Sequence, residues 1–294
     1  MLDSFLNYIS NEKRYSKHTV CAYAADISSF LTFLEHSYDI EKPEETEAMH
    51  IRSWMVELSE TKISSRSICR KLASVKAFFK FHKKTGRIDA NPALKIQAPK
   101  VSVRLPGYID EKGMEWLIMN QEKTESFESI RNMLIIEMLY QTGMRLSELV
   151  NLSWDDVDTT KASIRVMGKR RKERIIPIIE PLQELIVKYR DCVSSHFGSN
   201  EKHASIFLTD KGNKIYPKLV YRIVNSYLSM ITSMEKKSPH VLRHTFATHM
   251  LNSGADLNAI KEILGHSSLA ATQVYTHVSI EKLRKIYKQA HPKA

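Results

Sequence analysis

Apolar residues recur at steps of three and four through the first 95 residues, which is the spacing of one face of a helix. The segment "SKHTVCAYAADISSFLTFLEHSY", residues 16–38, is predicted to form an amphipathic helix. Its expected buried stripe consists of Val20, Tyr23, Ile27, Phe30, Leu31 and Leu34. A second helix is predicted in "SSRSICRKLASVKAFFKFHKKTG", with Gly86 as its stop. Its expected inward positions are Ile68, Leu72, Val75, Phe78 and Phe79.

Prolines interrupt this periodicity after residue 90. Pro92, Pro99 and Pro106 lie in "NPALKIQAPKVSVRLPGY", and prolines between periodic segments are typical of a connector. We therefore predict an N-terminal helical domain over residues 1–96, a linker over 97–107 and a second domain over 108–294.

The second domain is predicted to be mostly helical with a small antiparallel sheet. "SIRNMLIIEMLYQTG" is apolar nearly all round and stops at Gly143, which indicates a core helix with a glycine cap. "ASIRVMGKRRKERIIPI" has two β-branched runs around a polar loop and predicts a hairpin, with Pro177 restricting its strand to an edge. "DLNAIKEILG" predicts a helix that ends at Gly265, and "SSLAATQVYTHV" begins another. The inward residues of the first of these are expected to be Leu257, Ile260 and Leu264.

Charge and cysteine content narrow the class of protein. The 294 residues carry 44 Lys and Arg against 33 Asp and Glu, a net charge of +11 that favours a polyanionic partner such as nucleic acid or an acidic membrane surface. The three cysteines form no CxxC pair, which suits free thiols in a reducing cytoplasm. The N-terminus has no signal-peptide character and no run is long enough to span a bilayer. We expect a cytoplasmic protein.

The segment "HVLRHTFATHML" contains the first candidate residues for a functional site. His240 and Arg243 are one helical turn apart and share a face, whereas Leu242, Phe246, Met250 and Leu251 form an apolar side. A cation beside an imidazole on a partly buried helix suits an anionic ligand. A core carboxylate that satisfies the same groups is the structural alternative.

Four further residues in the second domain extend this pattern. Arg145 follows a glycine stop and begins a new helix, where the backbone N–H groups already favour an anion. Lys169 opens a hairpin loop in a stretch, residues 161–174, where seven of fourteen residues are basic. His266 lies at a helix stop and Tyr275 on the helix that follows, so both can border one cleft. Each signal is weak alone, and a tyrosine at helical spacing is more often a core residue.

Basic residues outside this group are candidates for contacts with a polyanion such as nucleic acid. On the second predicted helix they are Arg66, Arg70, Lys71 and Lys76, and in the hairpin loop they are Arg170, Arg171 and Lys172. A solvated charged face is an equally ordinary explanation of such a run.

The order of these residues and the short motifs around them resemble those of the tyrosine recombinases of the phage integrase family. The series runs from Arg145 in "TGMRLSEL" through the hairpin lysine, "HxLRHTFATH" and "LGHSS" to Tyr275 in "YTHV". The stretch from residue 240 to 278 is most similar to the Xer site-specific recombinases. "YSKHTVCAYAADISSFLTFL" and "LRKIYKQAHPKA" also look like segments of that family, so the resemblance spans almost the whole chain.

The resemblance implies a fold and an activity. The fold would be mainly α, with a SAM-like helical core-binding domain and a mostly helical catalytic domain that together clamp duplex DNA. The activity would be strand exchange at a specific recombination site through a 3′-phosphotyrosyl intermediate and a Holliday junction, without metal or other cofactor. The implied partners are double-stranded DNA and three further protomers. These are either all copies of this chain or include a second Xer-type recombinase, and a DNA translocase is a further candidate; no membrane is involved.

The residue types fit the chemistry of phosphodiester exchange. Arg145 and Arg243 would hold the non-bridging oxygens as planar, permanently charged donors, and His240 and His266 would add hydrogen bonds. Tyr275 would be the nucleophile. Lys169 would be the catalytic acid for the 5′ oxygen, with Lys172 as the alternative, and Glu148 would support the reaction by orienting the site.

Other functions remain open at this point. His240 and His244 have the i, i+4 spacing of a zinc helix, but Val241 stands where a metalloprotease has its glutamate. A non-catalytic DNA-binding protein would explain the charge but not the ordered nucleophile, acid and clamp. Within the same chemistry, the task is either resolution of chromosome or plasmid dimers or integration of a mobile element or phage, and a topoisomerase fits the N-terminal domain less well.

The tail "SIEKLRKIYKQAHPKA" is predicted to form a short amphipathic helix with Leu283, Ile286 and Tyr287 on one side. Such a short helix needs a surface to pack on. The surface is either its own domain or a neighbouring protomer, and the resemblance favours the neighbour.

Overall fold

We describe a computed structural model of the chain. It describes residues 1–101, 107–120, 125–168, 173–198 and 204–265, together with 287, 289 and 290. The chain divides into two compact units, Met1–Arg104 and Leu105–Ala294. Each unit is described by itself below.

The N-terminal unit is helical throughout its regular elements. They are α1 (Leu2–Asn7), a π-helical turn (Tyr8–Glu12), α2 (Lys17–Tyr38), a short 3-10 turn (Pro43–Glu45), α3 (Ala48–Glu60) and α4 (Ser65–Lys84). Serine side chains begin the two long helices: Ser16 Oγ accepts from the Thr19 amide at 3.2 Å, and Ser64 Oγ accepts from the Ser67 amide at 3.4 Å. Both predicted helices of this unit are confirmed.

The core of this unit is aromatic, and it differs from the expected stripe on α2. Phe30 packs against Trp54 with ring centroids 5.0 Å apart, and all five predicted inward residues of α4 are buried. On α2, however, Phe33 and the carboxylate of Asp26 are buried. The predicted Val20, Tyr23 and Leu31 are only half-buried. Asp26 is tolerated there because α4 supplies its hydrogen-bond partners.

The second unit combines seven helices with one small sheet in the part that the structure describes. The helices are α5 (Glu111–Met119), α6 (Phe127–Thr142), α7 (Leu146–Val150), α8 (Glu180–Phe197), α9 (Pro217–Ile231), α10 (Pro239–Asn252) and α11 (Leu257–Leu264). The strands are β1 (Val157–Asp158), β2 (Ser163–Met167) and β3 (Glu173–Pro177), preceded by a 3-10 turn (Trp154–Asp156). The predicted mainly helical fold with a small antiparallel sheet is confirmed.

Helix α6 is the centre of this unit, and its end needs a glycine. From residue 134 to 142 every side chain of α6 is buried. Gly143 ends the helix at φ +59°, and a Cβ there would lie 2.5 Å from a ring carbon of Phe246 and 2.7 Å from a methyl of Leu264. Only glycine therefore allows α10 and α11 to approach the end of α6 this closely.

The predicted hairpin is present, with strand order β1-β2-β3 and both pairs antiparallel. Pro177 pairs with Ser163 at the end of the edge strand β3, as predicted. The short β1 was not predicted, because two residues carry no periodicity. Two positions expected to be apolar contacts, Leu251 and Leu257, are 50% exposed because they lie where α10 ends and α11 begins.

Part of the C-terminal tail packs on its own unit. Tyr287 is fully buried in the core, and its hydroxyl donates to the carbonyl of Gln141 at 2.6 Å. Its ring lies 6.4 Å from that of Phe246. The free chain therefore uses the own-domain alternative for Tyr287; Leu283 and Ile286 lie outside the described residues. None of the described helices combines the length and the apolarity needed to cross a membrane.

Candidate active site

Three of the predicted site residues come together around the ends of α6 and α11. Arg145 directly precedes α7, Glu148 lies one turn into it, and Arg243 lies on α10. Six other predicted residues lie outside the described residues: Lys169, Arg170, Arg171, Lys172, His266 and Tyr275.

Arg243 is held by backbone carbonyls. Its side chain is buried, with Nη1 donating to the carbonyl of Gly143 and Nη2 donating to that of Leu264 at 2.7 Å. Burial lowers the pKa of Arg243 to about 10, and the nearby cation of Arg145 acts in the same direction. The guanidinium thus remains charged at neutral pH, and its plane is fixed by two helix ends.

Arg145 is held on one edge and open on the other. Its Nη1 donates to Glu148 Oε1 at 2.8 Å and its Nη2 donates to the carbonyl of Gly265 at 3.0 Å. Its side chain is 39% exposed. A ligand can therefore reach this guanidinium from solvent without breaking either bond.

Glu148 is the buried counter-charge of the cluster. It accepts from the Arg145 amide at 2.7 Å and from Arg145 Nη1, and it accepts two further bonds from Arg174 at 2.9 and 2.8 Å. Burial alone would raise the pKa of Glu148, but the bonds from Arg174 and Arg145 outweigh it and lower the pKa to about 2. The sequence predicted that the backbone N–H groups at the start of α7 would favour an anion, and in the structure the carboxylate of Glu148 accepts from the Arg145 amide there.

Arg174 is a site residue that the sequence prediction missed. It lies on β3, is only 10% exposed, and forms the bidentate pair with Glu148. A signal was available: Arg174 and Ile176 are two apart on one strand and therefore share a face, and Ile176 is fully buried. An arginine on the core side of a strand needs a buried acceptor.

The three arginines converge on consecutive carbonyls. Arg174 Nε donates to the carbonyl of Ile263 at 2.6 Å, Arg243 binds that of Leu264, and Arg145 binds that of Gly265. These are the last carbonyls of α11, which carry the negative end of the helix dipole. The next residue in the chain is the predicted His266.

The two histidines with zinc-helix spacing, His240 and His244, differ in solvent exposure. His240 is exposed and His244 is half-buried on α10. Among the residues that the structure describes, no group of three or more His, Cys, Asp or Glu side chains could hold a metal ion.

The cluster favours an anion. Its three guanidiniums and one carboxylate leave two net positive charges. Arg145 and Arg243 each have five donor hydrogens, and each uses two of them in the contacts above with described residues, so the described part of the chain leaves three donors on each for a ligand. The geometry suits an oxyanion bound by two planar, charged donors.

The basic residues predicted on α4 are mostly engaged inside their own unit. Asp26 binds Arg70 and lies 3.5 Å from Lys71 Nζ, and Lys76 Nζ donates to the carbonyl of Ile96 at 2.6 Å. Arg66 is exposed. Arg70 is also exposed on its outer side, with 52% of the side chain accessible.

Comparison with known proteins gives two family matches. The model of the "Phage integrase family" matches residues 108–282, and that of the "Phage integrase, N-terminal SAM-like domain" matches residues 2–86. The chain is 38% identical to a tyrosine recombinase XerC of Chlorobaculum parvum, over 100% of the chain and 94% of that protein. It is 35% identical to tyrosine recombinase XerC of Anoxybacillus flavithermus, over 100% and 98% of the two chains.

Solved structures show the same fold. The XerH site-specific recombinase in a post-cleavage complex with palindromic difH substrate matches with a TM-score of 0.74 and 19% identity, over 97% of this chain and 83% of that chain. A lambda integrase dimer bound to a COC′ core site matches with a TM-score of 0.70 and 17% identity, over 95% and 97%.

Proposed function

This chain belongs to the phage integrase family, and from that premise we propose how its residues carry out strand exchange. It is a tyrosine recombinase of the Xer type, as its sequence resemblance implied. It acts in site-specific DNA recombination.

The observation that carries the proposal is the pair of fixed guanidiniums, Arg145 and Arg243, which keep donors that no described residue uses. A phosphodiester carries one negative charge, and attack by a phenolate adds a second in the transition state. The two net positive charges of the cluster match that state better than the ground state. Such a match accelerates cleavage instead of merely tightening binding.

The remaining roles follow from the chemistry. Tyr275 attacks the phosphorus through its phenolic oxygen, a new P–O bond forms, and the bond to the 5′ oxygen breaks. Lys169 donates the proton that the 5′ oxygen needs, with Lys172 as the alternative. His240 and His266 donate hydrogen bonds to the non-bridging oxygens, and Glu148 orients Arg145.

The phosphotyrosyl ester retains the energy of the broken bond. A 5′ hydroxyl from a second duplex attacks the same phosphorus, Tyr275 leaves, and the strand is joined without ATP or a metal. The two pairs of strands are exchanged one pair at a time, and a Holliday junction is the intermediate between the two exchanges.

DNA is the partner that membership of the family implies, and we propose the protein partners as well. We assign four protomers to two recombination sites. They are either four copies of this chain, or two copies of it together with two of a second Xer-type recombinase, and a DNA translocase is a further partner. Resolution of chromosome or plasmid dimers is the task that the resemblance to the Xer recombinases implies, and the similarity to tyrosine recombinases XerC supports that resemblance. Integration of a mobile element or phage is the alternative with the same chemistry. Arg66, Arg70, Lys71, Lys76, Arg170, Arg171 and Lys172 are the proposed phosphate contacts.

The experiment begins with selection of bound DNA from a random pool, since the site sequence is needed for every later assay. A nicked version of the selected site loses the short 5′-hydroxyl strand after cleavage and traps the covalent adduct. Wild type should form the adduct, and Tyr275→Phe should bind DNA equally but form none. Tyr221→Phe removes a phenolic oxygen from a half-exposed ring on α9 and is the matched control. DNA binding without an adduct in wild type would instead identify a non-catalytic binding protein.

A further inference from the structure

We propose that Arg174 is a positioning residue of the recombinase reaction: it ties the β2–β3 hairpin, Glu148 and the end of α11 into one rigid unit that sets the place of Arg145. The inference rests on the proposed function above. In this proposal Arg174 acts on the reaction through other residues and does not contact the DNA.

The contacts of Arg174 run in three directions. From β3, its Nη1 and Nη2 donate to the two oxygens of Glu148 at 2.9 and 2.8 Å, and its Nε donates to the carbonyl of Ile263 at 2.6 Å. Thus one planar group joins the hairpin, α7 and α11, which are far apart in sequence. A rigid fork with donors on both edges is needed for this, and lysine has no such geometry.

Arg174 controls Arg145 through Glu148. Glu148 holds Arg145 by its amide and by Nη1, at 2.7 and 2.8 Å. Half of the four bonds that fix the Glu148 carboxylate come from Arg174. If Arg174 were removed, Glu148 could rotate or take up a proton, and Arg145 would lose its fixed orientation.

Arg174 also forms the surface on which the chain leaves α11. Gly265 has φ +65°, and a Cβ at this position would lie 3.1 Å from both Cδ and Nη1 of Arg174. The backbone at Gly265 therefore passes directly over the Arg174 side chain. The position of residue 265, and with it the start of the segment that leads to His266, depends on this contact.

Arg174 itself is poorly placed to touch the phosphate. It is 10% exposed, whereas Arg145 is 39% exposed. All three of its nitrogens already donate to protein acceptors. Its effect on cleavage must therefore pass through the residues that it holds.

The test measures single-turnover adduct formation on the nicked site at saturating protein, with DNA affinity measured separately. Arg174→Gln should bind DNA nearly as well as wild type but cleave about 100-fold more slowly, the scale of loss expected from a misplaced catalytic group. Rates are normalised to the folded fraction measured by circular dichroism and urea titration.

Arg131→Gln is the matched control. Arg131 is also a buried arginine, 3% exposed, that donates to a carboxylate, Asp210, and to a carbonyl, that of Leu208. It lies twelve residues before Gly143 on α6, or ~18 Å along the helix. This variant should lose stability yet cleave at nearly the wild-type rate per folded molecule.

The pH dependence gives a second readout that simple destabilisation does not predict. Among the residues that the structure describes, the charged groups that act on Glu148 are Arg145 beside it, Arg174 from β3 and Arg243 from α10. Without Arg174, the buried carboxylate is more easily protonated. The ratio of wild-type to Arg174→Gln cleavage should therefore grow as the pH is lowered from 8 to 5. Arg174→Lys restores a charge but not the fork, so its ratio should stay flat while its rate stays low.

The outcomes separate this inference from the proposed function. Absence of an adduct in wild type would remove the proposed function itself. Normal cleavage by wild type and an equal rate per folded molecule in Arg174→Gln, or a loss no larger than that of Arg131→Gln, would overturn the role of Arg174. Full recovery of the rate in Arg174→Lys would also overturn it, because charge alone would then suffice. If Arg174→Gln does not fold, the rate of Arg174→Lys decides.

Discussion

Replacing Glu148 with glutamine should destabilise the second unit strongly at neutral pH and much less in acid. The substitution keeps the shape of the side chain but removes its charge. It also turns one acceptor oxygen into an NH2 donor that faces the guanidinium donors of Arg145 and Arg174. A buried pair that loses one partner leaves the other charges uncompensated.

The size of the effect follows from the pKa of Glu148, which the fold lowers from 4.5 to about 2. A difference of one pKa unit corresponds to about 1.4 kcal/mol, so the ionised carboxylate contributes ~3 kcal/mol to the free energy of unfolding at pH 7. Because the pKa is lower in the folded state, this stabilisation is fully present above pH 4.5 and is lost as the pH falls towards 2. At pH 3 about half of it should remain.

The assay is urea unfolding followed by tryptophan fluorescence. Trp54 is the one tryptophan of the three that lies in the N-terminal unit. A Trp54→Phe background therefore restricts the signal to Trp116 and Trp154, and both the reference and the Glu148→Gln protein carry this change. The difference in unfolding free energy is measured between pH 7 and pH 3.

Asp158→Asn is the matched control for burial. The hydroxyl of Thr160 and the amide of Lys161 lower the pKa of Asp158 to about 2 as well, but its side chain is 39% exposed. Solvent screening should make its loss small. A Glu148→Gln protein as stable as the reference at pH 7, or a difference that is unchanged at pH 3, would refute the pairing of Glu148 with the arginines as a source of stability.

Three further predictions concern the site and the tail. Arg145→Ala and Arg243→Ala should each reduce cleavage by about 10²–10³-fold with a much smaller loss of DNA binding; equal losses in both measurements would make them ordinary phosphate anchors. Lys169→Ala should cleave poorly, and a substrate with sulfur in place of the 5′ bridging oxygen should restore the rate, since a thiolate leaves without a proton; recovery only for Lys172→Ala would move the acid to that position. Tyr287→Ala should lower the unfolding free energy of the DNA-free chain by about 3–5 kcal/mol, as for other large buried rings, and an unchanged value would mean that the tail packs only on a neighbour.

The helices and the hairpin could be predicted because their signals are local. The apolar spacing of α4, the all-round apolar α6 and the stop at Gly143 are each contained in one short segment. The buried Asp26 could not be predicted in this way. Its burial depends on Arg70 and Ser74, which are more than forty residues away and reach its carboxylate from α4.

The same limit explains which parts of the site were predictable. Arg145 and Arg243 stand in short sequence motifs, so the resemblance was enough to propose them as site residues without a structure. Arg174 stands in a run of basic residues that looks like a solvated loop, and only the approach of α11 and α7 gives its donors their acceptors. Arg174 could not be found in this way, because its partners on α7 and α11 are distant in sequence and meet it only in the folded chain.

The end of α11 explains why three arginines that are distant in sequence lie together. The last carbonyls of a helix need donors, and here they come from Arg145 just before α7, Arg174 on β3 and Arg243 on α10, so that one helix end orients three cations. The cations would repel each other without this acceptor row and the single carboxylate of Glu148. The end of α11 is therefore more than the start of the segment that carries His266 and Tyr275. Under the proposed function it is the template for the phosphate clamp, so a shift of α11 should move the three arginines and the start of the segment that leads to Tyr275 together.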